Sequence, residues 1–95
     1  MPTFLVEYTF TAATAAIRDE SRPAHRAWCS SLCDEGVLKA SGPFPNGLGA
    51  LLIFQATDED ALNELILNDP YVPVNAIDAT SVRGWTPVIG SISDN

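Results

Sequence analysis

Leu48-Gly49-Ala50-Leu51-Leu52-Ile53-Phe54-Gln55-Ala56 is the stretch on which the fold turns. Its inner run, Ala50 to Phe54, is apolar without a break. A strand with one wet face alternates; an unbroken run is covered on both faces. Leu48 to Ala56 therefore reads as a central strand that needs neighbours on each side. One neighbour lies upstream, where Phe4, Val6, Tyr8 and Phe10 alternate with Thr3, Leu5, Glu7 and Thr9. That period of two, in aromatic and branched residues, is a strand with one firmly apolar face. Val37 to Ala40 reads as a second, short strand, followed by the turn-rich Ser41-Gly42-Pro43-Phe44-Pro45-Asn46-Gly47. Val74 to Val82 reads as the fourth.

Two helical patterns fill the gaps. Ser21 reads as an N-cap, with Pro23 in the first turn, where its missing N–H is no loss. From there Ala24, Trp28 and Leu32 form an apolar stripe that runs to about Glu35, and Gly36 is the stop. The Ala-rich segment before it, Thr11 to Glu20, fits a loop or a short helical turn. Thr57 with Asp60 resembles an acidic capping box ahead of Ala61, Leu62, Leu65 and Ile66. Pro70 disfavours helix at Asp69 and closes that element. The order strand, helix, strand, strand, helix, strand predicts an α+β, ferredoxin-like βαββαβ fold. Its sheet has four antiparallel strands with both helices on one face. The other face then needs cover, and a second copy laid sheet against sheet supplies it.

The chain has 95 residues and a net charge of −7. That length fits a single domain, taken as residues 1–90 with a short tail at 91–95. Trp85, Pro87 and Val88 read as the segment that packs down before the tail frays. A domain this small buries roughly 60–65% of its unfolded surface and is marginal alone, which also favours a homodimer. Its 5 Lys and Arg are scattered and form no phosphate-neutralising stripe, which argues against nucleic acid. No apolar run reaches membrane-spanning length, and the amphipathic start is no secretory leader, so no membrane is expected and the location is read as cytoplasmic. Cys29 and Cys33 make no disulfide framework. With His25 they follow one-turn spacing, but two such steps drift around a helix. They read as small core residues and not as zinc ligands; no metal and no cofactor is expected. The glycines around Leu48 precede no helix and make no phosphate loop.

Arg22-Pro23-Ala24-His25, a helix ending at Gly36, Ala40-Ser41-Gly42-Pro43, Leu51-Leu52-Ile53-Phe54, Asp69-Pro70-Tyr71 and Trp85-Thr86-Pro87-Val88 together resemble the YCII-related family, in order and over nearly the whole chain. The resemblance implies a dimeric α/β barrel of ferredoxin-like subunits and a His–Asp active site, which maps onto His25 and Asp69. It includes a dehydrochlorinase acting on a chlorinated hydroxyhydroquinone, and muconolactone isomerases share the wider fold.

Read residue by residue, His25 is the chain's one histidine, placed by the pattern in the first turn of its helix, where the dipole favours neutral imidazole. A carboxylate nearby pushes the other way. Asp69 at a helix C-terminus is locally unfavourable and calls for a partner. The two helices lie antiparallel in this fold, which makes contact between His25 and Asp69 geometrically reasonable. Ser41, Gly42 and Pro43 fit a substrate-binding corner, with the Ser41 hydroxyl and Gly42 N–H on a substrate oxygen, or a plain turn. Arg22 fits an anionic substrate group or a neighbouring acid. Tyr71 and Trp85 fit an aromatic pocket or the core. The expected activity is proton transfer on a small organic molecule, lyase- or isomerase-like, with His25 as acid–base and Asp69 as its orienter. The alternative is a non-catalytic ligand-binding module in which the pair is a structural tie.

Overall fold

In a computed structural model that describes residues 1–92, the apolar run at 50–54 lies within strand β3 (Gly49–Gln55), paired on both sides. Its neighbours are β1 (Thr3–Thr9) and β2 (Leu38–Pro43), and β4 (Ala79–Trp85) pairs with the other edge of β1. The order across the sheet is β2-β3-β1-β4, all antiparallel. With helices α1 (Ala15–Asp34) and α2 (Glu59–Ile66) this is the α+β, ferredoxin-like arrangement. Residues 93–95 of the expected 91–95 tail lie outside the described residues.

The register explains the core. Phe4 faces Phe54 across the ladder, Val6 faces Leu52 and Tyr8 faces Ala50. These side chains meet Cys29 and Leu32 of α1 and Leu62 and Ile66 of α2 in one cluster. On the opposite parity Leu5, Leu51 and Ile53 stay half-buried on the sheet face away from the helices. The double burial implied by the unbroken run is complete on the helix side only.

Four element boundaries differ from the sequence expectation. Helix α1 begins at Ala15, so Ser21 is no N-cap and Pro23 sits inside the helix. The alanines at 12, 13, 15 and 16 carry enough helix propensity to nucleate early. Pro23 removes one interior hydrogen bond, and the packing of Cys29 and Leu32 holds the helix regardless. Strand β2 runs on through Ser41, Gly42 and Pro43, which were expected to turn. It is an edge strand, where a proline forfeits no ladder bond it needs. A register shift between Leu38 and Ala40 marks a bulge. Helix α2 is capped by Asp58, whose carboxylate accepts the Ala61 N–H at 2.8 Å, in place of the Thr57–Asp60 box.

The fourth strand starts at Ala79, not Val74. Pro73 and the left-handed Asn75 (φ 55°) break the extended run. Val72, Asn75 and Ala76 N–H groups instead close successive turns on Asp69, Val72 and Tyr71 carbonyls. Trp85 ends β4 and is exposed, as is Val88, so the expected packing down of this segment is not what forms.

A brace fixes these turns to the start of α1. The buried Arg18 guanidinium lies 4.3 Å from the Phe10 ring centre and donates to the Thr11 and Ala76 carbonyls, at 2.9 and 3.3 Å, and to the Thr14 hydroxyl. Asp78 accepts from the Thr11 N–H and the Thr14 hydroxyl, both at 2.8 Å. The Thr14 bond, ahead of the Thr11 bonds and against some desolvation, holds its carboxyl below the usual range.

Gly49 is closely approached by its neighbours: a Cβ there would stand 2.4 Å from the Tyr8 carbonyl oxygen and against the Phe44 ring. Gly49→Ala is expected to cost about 1–3 kcal/mol, seen as a lower urea midpoint at constant slope. Gly84→Ala meets nothing within 4 Å and is expected to change stability by no more than about 0.5 kcal/mol. Equal midpoints for the two variants would contradict the close approach.

Candidate functional site

Because α1 starts early, His25 lies near its middle and not in its first turn. The dipole argument for a neutral imidazole therefore does not apply, since that field acts only within the terminal turn. Helical spacing instead puts Arg18, Arg22, His25 and Cys29 on one side of α1, and all four line a cavity of about 700 Å³. Its far wall is Ser41, Gly42 and Pro43 of β2 with Leu52 of β3. Ser41 is paired with Leu52 across the ladder, which sets both on the helix-facing side.

Asp69 is held in the turn just past α2, its N–H on the Ile66 carbonyl at 3.0 Å. It has no exposed surface. A buried carboxylate must find donors, and three reach it. The Tyr8 hydroxyl donates to Oδ2 at 2.8 Å. The His25 Nδ1–H and the Tyr71 backbone N–H donate to Oδ1 at 2.8 and 3.0 Å. The Tyr71 ring then lies flat on the imidazole, 4.0 Å between centres and 8° from parallel. Three segments distant in sequence thereby position one imidazole.

The pair carries charge. Burial disfavours the imidazolium, but the Asp69 hydrogen bond, the Cys29 contact and the Asp69 charge outweigh it and lift the His25 pKa to about 9. At neutral pH His25 is protonated, with Nδ1–H on Asp69 and Nε2 turned to the Cys29 sulfur, 3.6 Å away. Burial first, then the Asp69 carboxylate, hold the Tyr8 phenol far above its ordinary range. Burial also raises Tyr71, against the opposing effect of Arg22.

The structure brings together His25 and Asp69, and sets Ser41, Gly42, Pro43, Arg22 and Tyr71 on the wall of the same cavity. Arg22 reaches Asp19 at 2.8 Å in a pair open to solvent and also meets the Tyr71 hydroxyl. Trp85 is elsewhere. It pairs with Thr3 at the opposite end of β1 and borders a separate groove with Met1 and Phe4. Cys33 is exposed, contrary to its expected place in the core; Cys29 is buried. Among the described residues no three His, Cys, Asp or Glu side chains converge as a metal site, and no helix is long and apolar enough to cross a membrane.

Two contributors escaped the sequence reading. By period alone Tyr8 reads as a core aromatic, although a phenol on an apolar face signals a buried partner. Arg18 lies in the Ala-rich segment whose sequence fits a loop or a short helical turn equally well.

Comparison with known proteins agrees with this architecture. The YCII-related domain matches residues 1–86. A solved 5-chloro-2-hydroxyhydroquinone dehydrochlorinase from Burkholderia phenoliruptrix AC1100, in complex with 2,5-dihydroxybenzoquinone, superposes with a TM-score of 0.78. It is 23% identical, over 97% of this chain and 99% of that one, a likeness that establishes the fold. No curated protein matches the chain.

The His25–Asp69 bond makes stability depend on pH with a definite sign. The folded pKa, about 9, lies above the unfolded value of 6.5. The contribution, roughly 3 kcal/mol, is complete below the unfolded value and vanishes as pH rises through the folded one. Urea midpoints of the wild type are expected to fall between those two pH values. In Asp69→Asn they are expected to be lower throughout and flatter over that window. A wild-type midpoint that rises across the window would contradict the assignment.

Proposed function

This chain belongs to the YCII-related domain family, and on that premise we propose that it is a small-molecule enzyme in which His25 and Asp69 carry out proton transfer. The observation that supports this reading most is an imidazole on a cavity wall, charged and aimed by a carboxylate that water does not reach. A structural tie alone does not need an open volume of about 700 Å³ beside it.

His25 rests protonated, so it acts first as a general acid. It delivers its proton to an oxygen or a leaving group of the bound molecule, then takes a proton back from carbon. Asp69 touches no substrate; it orients the ring and offsets its charge. The Ser41 hydroxyl and the Gly42 backbone hold a substrate oxygen, Pro43 closes that corner, and Tyr71 lies along a ring. Arg22 exchanges Asp19 for an anionic group. This sequence of proton movements suits lyase chemistry, such as loss of a halide from an oxygenated ring, and isomerisation next to a carbonyl. It calls on no metal or cofactor. The quinone bound to the dehydrochlorinase of similar fold supports a small cyclic, oxygenated substrate.

The proposal includes residues 1–90 acting as one domain, in the cytoplasm, without nucleic acid or membrane as partners. It includes a homodimer. Leu5, Leu51 and Ile53 form an apolar strip on the uncovered sheet face, and a second copy laid against it would bury that strip.

A panel of small acids, lactones and quinols tests the reading, with turnover followed by absorbance and binding by the fluorescence of Trp28, whose ring centre is 6.1 Å from that of His25. At least one compound is expected to turn over, and His25→Ala is expected to lower its kcat/KM about 10²–10⁴-fold in a folded protein. The wild-type kcat/KM is expected to fall as pH rises through about 9. If no compound exceeds the His25→Ala background and that variant loses only melting temperature, the pair is a structural tie.

A further inference from the structure

Cys29 stands where the proton-transfer reading leaves a side chain idle. Its sulfur is 3.6 Å from His25 Nε2, while Nδ1 of the same ring is bonded to Asp69 at 2.8 Å. Carboxylate, imidazole and thiol thus run in line through opposite ring nitrogens. One-turn spacing of a cysteine and a histidine is common on helices. What the structure adds is a fully buried carboxylate behind the imidazole and an open cavity in front of the sulfur, since Cys29 is part of the cavity wall. A cation against sulfur is the arrangement that makes a cysteine nucleophilic. Cys33, two turns from His25 on the same helix, is exposed and provides a comparison within the molecule.

We propose that Cys29 is a nucleophile of this cavity, forming a thioether with the electron-poor carbon of an alkene conjugated to a carbonyl. The inference rests on the cavity being the active site. Its substrate class follows from the pair of groups: sulfur is a soft nucleophile suited to carbon, and the adjacent Nε2–H is a proton donor suited to the oxygen that becomes negative.

As the sulfur attacks, the thiol proton leaves to water. The sulfur lone pair forms the S–C bond at the β-carbon. The alkene π pair moves through the chain of atoms onto the carbonyl oxygen as an enolate. The Nε2–H bond breaks and its proton goes to the enolate oxygen, His25 regains a proton from water, and the enol ketonises as its O–H proton is lost to water and the α-carbon takes one up. The net change is addition of S–H across the double bond, with no oxidant and no leaving group. The adduct therefore gains the whole mass of the electrophile.

N-ethylmaleimide, in less than molar equivalence, is the probe for folded wild-type protein at neutral pH, with the site of addition located by peptide mass. Cys29 is expected to react at least about tenfold faster than Cys33 despite being buried, and His25→Gln to slow Cys29 by at least about tenfold with Cys33 unchanged. Reaction of Cys33 first, with Cys29 labelled only in urea, overturns the inference from the wild type alone, whether or not the variant folds. So does an unchanged Cys29 rate in a His25→Gln protein shown by circular dichroism to be folded. The labelling needs no turnover, so slow Cys29 beside a His25-dependent reaction in the compound panel removes this inference and leaves proton transfer standing.

Discussion

The Asp69 carboxylate is sealed from water, and its three donors come from β1, from the middle of α1 and from the turn after α2. Burying an ionised carboxylate costs several kcal/mol unless its lone pairs are satisfied, and removing one partner of such a group is more damaging than never having had it. Tyr8, His25 and the Tyr71 N–H are therefore constrained together. The constraint sets the height of α1 over the sheet, the path of the chain beyond Ile66 and the plane of the imidazole. The flat contact between Tyr71 and His25 follows, because the same turn that offers the Tyr71 N–H to Asp69 lays its ring on the imidazole.

Charge is divided around this point. The chain is strongly acidic, yet Arg18, Arg22 and Arg26, three of its 5 Lys and Arg, line the one cavity that holds His25. Arg18 is spent on structure: Phe10, Thr11 and Ala76 enclose it, and it joins the start of α1 to the turns before β4. Arg22 pairs with the exposed Asp19 carboxylate, a contact of little energetic worth, and also meets the Tyr71 hydroxyl. The cavity wall thus carries both the His25–Asp69 pair and the exposed Arg22–Asp19 pair.

Much of the sheet was legible in the chain because period two and an unbroken apolar run leave few alternatives. Leu51 to Phe54 required two neighbours, and Phe4, Val6 and Tyr8 required a covered face. Helix α1 was misplaced because Pro23 fits a first turn so well that the alanines ahead of it were left undecided. Those alanines start the helix early, and the packing of Cys29 and Leu32 outweighs the hydrogen bond lost at Pro23. Val74 to Ile77 imitated strand parity, but Pro73 and the left-handed Asn75 turned the chain. The His25–Asp69 contact rested on the family resemblance and on antiparallel helices, and it forms from a different position on α1 than expected. Tyr8 and Cys29 were not assigned to the site because their roles depend on side-chain direction across 61 residues in one case and 4 in the other. Spacing alone does not specify that.

The central claim is that a buried carboxylate keeps one imidazole charged on a cavity wall. Because the chain has a single histidine, its ring nitrogens are directly readable by 15N NMR across a pH series. The account predicts a doubly protonated ring at neutral pH that titrates near 9, with the Nδ1 proton shifted downfield by its bond to Asp69. A free-histidine titration near 6.5, with no downfield proton, would contradict it.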